Sequence, residues 1–288
     1  MACLFPKLFN SILKIEKLTP VYLLLLIAVY ACNPKIGESI QKNNFKQDVE
    51  LMTAFGPIVL RLSDETPKHR DNFIRLVEQH QLDNINFYRI INTFLIQTGK
   101  DLPAKYPALI DAEFRPDLFH KRGALNAARE GDEFNPTQAS ASSHFTIIQG
   151  KVFTDSTLMI AEKRINDWLA YNKVITDPAN AALFLRLQTF SKEGANQDSL
   201  KGVQAKLDQL AQRKLERMVR YRIPDEQRKI YKTIGGAPHL DQNYTVFGEV
   251  VSGMKIVDGI ARVKTNKDDK PLKDIMILKA RMIERIKY

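Results

Sequence analysis

The sequence predicts a mainly β fold, an antiparallel sheet or barrel interrupted by a block of helices. Short apolar runs of strand length recur at 48–53, 58–62, 86–91, 94–98, 144–149, 244–250 and 274–284. Only two helical patterns fall among them, and they do not alternate with the strands as the βαβ units of a parallel sheet would. Between Lys151 and Gly235 the apolar spacing changes to the three- and four-residue steps of helices.

Composition sets the outer limits. A chain of 288 residues, 44% hydrophobic, can bury one substantial core plus an appendage, so two folded units at most are expected. The formal charge of +10 is not arranged with interleaved exposed aromatics, so it reads as solvated surface and no nucleic-acid partner is expected.

In chain order, the first segment reads as an export signal over 1–31. Lys7, Lys14 and Lys17 precede the apolar run Val21–Ala31, whose eleven residues are too few for a membrane span of about 20 but suit a signal-peptide core. Val29-Tyr30-Ala31-Cys32 looks like a bacterial lipoprotein cleavage site, which would make Cys32 the lipidated first residue. The alternatives are an ordinary secretory signal or an uncleaved anchor. Cys3 lies inside the signal, so a processed chain keeps Cys32 alone and forms no internal disulfide. Residues 32–47 are polar and weakly patterned, as in a tether.

Residues 48–53 and 58–62 form a hairpin around Phe55-Gly56-Pro57. Ser63 or Asp64 can cap a helix starting near Thr66, with Pro67 in its first turn and Phe73, Leu76, Val77 and His80 near one face. The remaining strand runs and a short helix at 253–261 complete the fold. Within 151–235, four segments are helix-periodic: 155–172, 178–191, 198–222 and 224–234. The block carries sixteen basic and ten acidic residues. It reads as a helical bundle with a solvated basic face, or as a surface for a protein partner. No His, Cys or carboxylate cluster has metal-ligand spacing.

The most informative stretch runs Phe87-Tyr88-Arg89-Ile90-Ile91-Asn92-Thr93-Phe94-Leu95-Ile96-Gln97-Thr98-Gly99, which sets an arginine, an aromatic and an amide in what otherwise reads as buried strand. It resembles the signature segment of cyclophilin-type peptidyl-prolyl isomerases, which carry Arg, Phe and Gln at the relative positions of Arg89, Phe94 and Gln97. Two more blocks resemble that family in the expected order. One runs from Gly123-Ala124-Leu125-Asn126-Ala127-Ala128-Arg129 to Ser143-His144-Phe145-Thr146-Ile147; the other is His239-Leu240-Asp241-Gln242-Asn243-Tyr244-Thr245-Val246-Phe247-Gly248.

The resemblance implies a closed antiparallel eight-stranded barrel with two capping helices over 48–150 and 236–288, with 151–235 as an insert. It implies a cofactor-free isomerase acting on proline-containing polypeptides, with Arg89, Phe94 and Gln97 catalytic and His144, Phe145, His239, Leu240 and Tyr244 binding substrate. With the signal, it points to a folding catalyst for exported proteins, a membrane-anchored lipoprotein of a bacterial envelope. Three aligned positions depart from the pattern: His144 replaces Gln, Thr146 replaces an aromatic and His239 replaces the Trp that rims the proline pocket; Tyr244 also replaces a His. The thinned pocket keeps a second function open, a non-catalytic proline-peptide binder or scaffold using the insert. A hydrolase lacks support, because no nucleophile elbow or phosphate loop is present and Ser142-Ser143-His144 adjacency makes no triad.

Overall fold

The structure, a computed structural model, describes residues 46–193 and 197–285. The expected signal, Cys32 and nearly all of the tether lie outside the described residues.

Strands β1 (Gln47–Thr53) and β2 (Gly56–Leu62) pair antiparallel with Thr53 opposite Gly56, so the loop is Ala54-Phe55, one residue earlier than the expected turn. Thr53 closes it: its hydroxyl donates to the Gly56 carbonyl at 2.7 Å and accepts from the Phe55 N–H at 3.1 Å. Helix α1 (Pro67–Glu78) follows, with Phe73, Ile74, Leu76 and Val77 buried. Its cap differs from expectation. Thr66 occupies the N-cap without a side-chain bond, and the first free N–H groups of Lys68 and His69 donate instead to the Glu113 carboxylate, at 3.2 and 3.0 Å. A distant carboxylate at the positive helix end serves the purpose expected of Ser63 or Asp64. His80 lies beyond the helix and is exposed.

Next come β3 (Ile85–Ile91), β4 (Leu95–Gly99), the short β5 (Leu109–Ile110), β6 (Ala124–Ala127), the short β7 (Ser140–Ala141) and β8 (His144–Ile148). Four helices then precede β9: α2 (Asp155–Ile175), α3 (Ala181–Glu193), α4 (Gln197–Arg217) and α5 (Asp225–Thr233). Strand β9 (Val246–Ser252), helix α6 (Met254–Ala261) and β10 (Met276–Glu284) complete the order. Eight strands close a barrel in the order β1-β10-β3-β4-β8-β6-β9-β2, every neighbouring pair antiparallel. Beta strands 5 and 7 form a separate two-stranded pair.

Inside the barrel, Phe73 from α1 meets Phe145 edge-on at 4.8 Å, and both rings reach Phe247, at 5.5 and 5.8 Å. The helices have a core of their own: Val174, Ile175, Phe184, Leu187, Val203, Leu207 and Ala211, drawn from α2, α3 and α4. A second cluster of Leu158, Ile223 and Tyr231 packs with Phe119 and Phe153.

Candidate active site

Strands β3, β4, β8 and β6 lie side by side, and four residues face one another across them. Arg89 pairs with Gln97, Gln97 with Thr146, and Thr146 with Asn126. Thr98, Leu125, Phe145 and Ile147 surround a common space inside the barrel. Because successive side chains on a strand alternate faces, the Arg89–Gln97–Thr146–Asn126 row stands on the outer face.

Arg89 is held at its stem. Its Nε donates to Asp269 at 3.4 Å, a long bond between half-exposed side chains, while the Ile90 N–H donates to the Asp269 carbonyl at 2.8 Å. The amide of Gln97 bonds the Tyr88 hydroxyl, whose pKa burial pushes up to about 12. Gln97 therefore faces Arg89 across the ladder while Asp269 supplies the anchor. The Tyr88 ring meets His144 edge-on at 5.7 Å.

An apolar layer adjoins the row. Leu95, Ala124, Ile148, Ala237, Leu240 and Val246 are buried together, with Phe94, Leu118 and Tyr244 packed against them. The Phe94 and His239 rings lie 5.1 Å apart. The Arg129 guanidinium sits over Tyr244 at 5.1 Å and also bonds the Asn243 side chain. Phe94, His239, Leu240 and Tyr244 thus converge beside Arg89 and Gln97, and His144 lies at the far edge. Phe145 does not join them: one step along β8 from Thr146, it faces inward and packs in the barrel core.

The turn bearing His239 and Leu240 (Pro238–Leu240) is fixed from below. The buried Asp241 carboxylate accepts from the His120 N–H at 2.9 Å, from the His120 ring Nδ1 at 2.8 Å and from the Tyr231 hydroxyl at 2.6 Å. Burial and the adjacent carboxylate hold the Tyr231 phenol well above its ordinary pKa, so it stays a donor. Gly236 opens the turn at φ +156, where a side chain would run into the His120 carbonyl. Sequence reasoning missed Asp269, His120, Asp241 and Tyr231. Asp241 fell in the matched His239–Gly248 block and could have been found there; the others carry no local signal.

Burial, then Arg164, His120 and Lys151, push the His239 imidazole down to about 4. Burial also holds His144 below its ordinary value. At neutral pH both rings are uncharged, and Arg89 is the cation on the row. Among the described residues no three His, Cys, Asp or Glu side chains are grouped to hold a metal ion.

The model of the cyclophilin type peptidyl-prolyl cis-trans isomerase/CLD family matches residues 48–169 and 218–282. A provisionally named peptidyl-prolyl cis-trans isomerase of Staphylococcus haemolyticus is 26% identical over 251 residues, 85% of this chain and 94% of that protein. Its similarly named counterpart in Staphylococcus aureus strain NCTC 8325 is 24% identical with the same coverage. Among solved structures, a cyclophilin type peptidyl-prolyl cis-trans isomerase of Cryptosporidium parvum gives a TM-score of 0.49 at 17% identity, covering 83% of this chain and 99% of that one. A second crystal structure of it, in the presence of the dipeptide Ala-Pro, gives 0.49 at 16% identity, covering 83% and 100%.

Proposed function

The chain belongs to the cyclophilin-type peptidyl-prolyl cis–trans isomerase family and is an isomerase by that membership; we propose that its outer barrel face, centred on Arg89, rotates Xaa–Pro bonds in exported proteins as a folding catalyst. The observation that carries the site assignment is the Arg89 guanidinium, tethered at Nε by Asp269 and set beside the Phe94–His239–Leu240 layer.

The chemistry follows from the bond. An Xaa–Pro amide prefers trans by only about 0.5–1 kcal/mol but is guarded by a resonance barrier of about 18–20 kcal/mol. Breaking that conjugation needs no covalent intermediate. As the amide twists, the proline nitrogen recovers its lone pair, and an N–H of Arg89 aimed there stabilises the twisted state more than the planar one. Phe94 and Leu240 receive the pyrrolidine ring, and exclusion of water strengthens the arginine's hydrogen bond. Gln97 orients the substrate backbone from the opposite strand.

The exported setting rests on Lys7, Lys14 and Lys17 before the apolar run that ends at Ala31-Cys32, with lipid on Cys32 as the membrane anchor. A second reading, a non-catalytic proline-peptide binder that holds a partner on its helices, is favoured by His239 and Thr146 standing where apolar aromatic area is expected. Exchange spectroscopy on a short Ala-Xaa-Pro peptide with the purified protein separates the two. Catalysed cis–trans exchange supports the enzyme, and saturable binding without exchange supports the binder.

A further inference from the structure

The chain's single tryptophan, Trp168, lies on α2, the helix that packs along the turn carrying His239. One turn before it, Arg164 stacks its guanidinium over the indole at 4.5 Å. Further along, Asn172 donates to the Pro136 carbonyl at 2.9 Å, so the helix runs from the His239 turn to the loop around Pro136. Lys151, just ahead of α2, is fixed to the segment leading into the turn by two backbone bonds with Gly236, at 3.2 and 3.0 Å.

The charges here are unbalanced. Each acidic residue of α2 is engaged elsewhere: Asp155 with Lys232, Glu162 with Arg228 and Asp167 with Lys163. The charged groups of Arg164 and Lys151 have only aromatic partners among the described residues, Trp168 and Phe153. The groups whose charges His239 feels, Arg164, His120 and Lys151, are all basic. The aromatic edge begun by Phe94 and His239 therefore continues onto a helix bearing uncompensated positive charge.

We propose that Arg164 and Trp168, with Lys151, form a subsite continuous with the proline groove that receives an Asp or Glu side chain flanking the proline of the substrate. The carboxylate pairs with the guanidinium while the neighbouring backbone lies against the indole. This rests on the Arg89 face being where the proline sits.

The test uses the full-length protein and three series of proline tetrapeptides that carry Glu, Gln or Lys on either side of the proline. Trp168 is the sole indole, so its emission reports binding at this spot, and exchange spectroscopy reports turnover. Glu peptides should show a kcat/KM about two- to fivefold above Gln peptides, more above Lys peptides, with the margin shrinking in salt. They should also shift Trp168 emission on saturation. Arg164→Gln should abolish the Glu–Lys discrimination and Arg164→Glu should invert it, with thermal melts checking both. Equal values for the three series, an unmoved Trp168 emission, or discrimination that survives Arg164→Glu would overturn the subsite and leave the isomerase reading intact. Glu-selective binding with a Trp168 response but no turnover would leave the subsite standing and remove catalysis.

Discussion

Arg89 stands on a strand next to the buried Ile90 and two residues from the buried Phe87, yet its own side chain is 42% exposed, because the register shift between Phe87 and Arg89 puts it on the opposite face from Phe87 and the pleat sets it opposite Ile90. An outward arginine with a single long ion pair contributes little to stability, as exposed pairs are worth about 0–1 kcal/mol. Its loss should therefore be felt in rate. Arg89→Ala should raise the barrier by roughly 2.7–4 kcal/mol, about a hundred- to a thousandfold, by analogy with removing one preorganised donor from an oxyanion hole. Arg89→Lys should recover little, since an ammonium lacks the planar fork. Turnover, peptide affinity and melting are measured together: equal losses in rate and affinity would indicate binding alone, and a collapsed melt a structural arginine. His239 gives a pH-dependent test. Its folded pKa of about 4 lies below the ordinary 6.5, so between those values the unfolded chain takes up a proton that the folded chain does not. Stability from this residue is intact above pH 6.5, falls as pH drops towards 4 and is level below. Denaturant unfolding of wild type and His239→Phe from pH 7 to 4 should show the variant losing less. Resemblance to the family's segments revealed Arg89, Phe94 and Gln97 in the sequence. It placed Phe145 in the pocket because adjacency in sequence hides a change of face, and it could not reveal Asp269, which lies 180 residues from Arg89.

Between elements, the joint that matters is Tyr231–Asp241–His120, which ties α5 to the base of the His239–Leu240 turn. Every pocket residue proposed from sequence lies outside 151–235, yet Tyr231 lies inside it and is fully buried. Tyr231→Phe keeps the ring and removes one buried bond to a carboxylate, which should cost about 1.5–3 kcal/mol in denaturant unfolding. The turn should loosen with it, raising KM for proline peptides more than it lowers kcat. Unchanged stability and KM would show that the carboxylate is satisfied by His120 alone. The same packing explains what the sequence could and could not reveal about elements. The long strands and the insert helices are amphipathic or continuously apolar, so their periods read directly. Strand β6, Ala-Leu-Asn-Ala, is buried along its whole length and has no β-branched residue, so its pattern is silent. It was visible only as part of the Gly123–Arg129 resemblance. The α1 cap was misplaced for a related reason, since Glu113 reaches it from 45 residues away.

At the scale of the molecule, a closed barrel leaves no strand edge for pairing with another chain, which would suit the proposed role on unfolded, strand-prone polypeptides. The family model spans 48–169 and 218–282, so 170–217, which holds α3 and α4, is the stretch within the helical block that it does not match. No helix among the described residues is long and apolar enough to cross a membrane; the anchor of the proposed setting is the lipid on Cys32, which lies outside them. From Cys32 to Lys46 the chain can reach at most about 50 Å, which sets the upper limit of the tether in the proposed setting. A single acyl chain binds a bilayer only marginally, so retention needs the several chains of a bacterial lipoprotein. Charge is the competing cause, because a protein of net +10 adheres to anionic lipid at low ionic strength. The two separate in salt, since surface attraction is screened within about 3 Å at 1 M while hydrocarbon insertion is not. Wild-type protein should stay with washed membranes in 1 M salt, and Cys32→Ser should move to the soluble fraction with its peptide turnover unchanged. Intact mass should show a chain beginning at a lipid-modified Cys32. A native chain that starts at Met1 or carries an unmodified Cys32, or a Cys32→Ser protein that still resists the salt wash, would overturn the anchor without touching the Arg89 site.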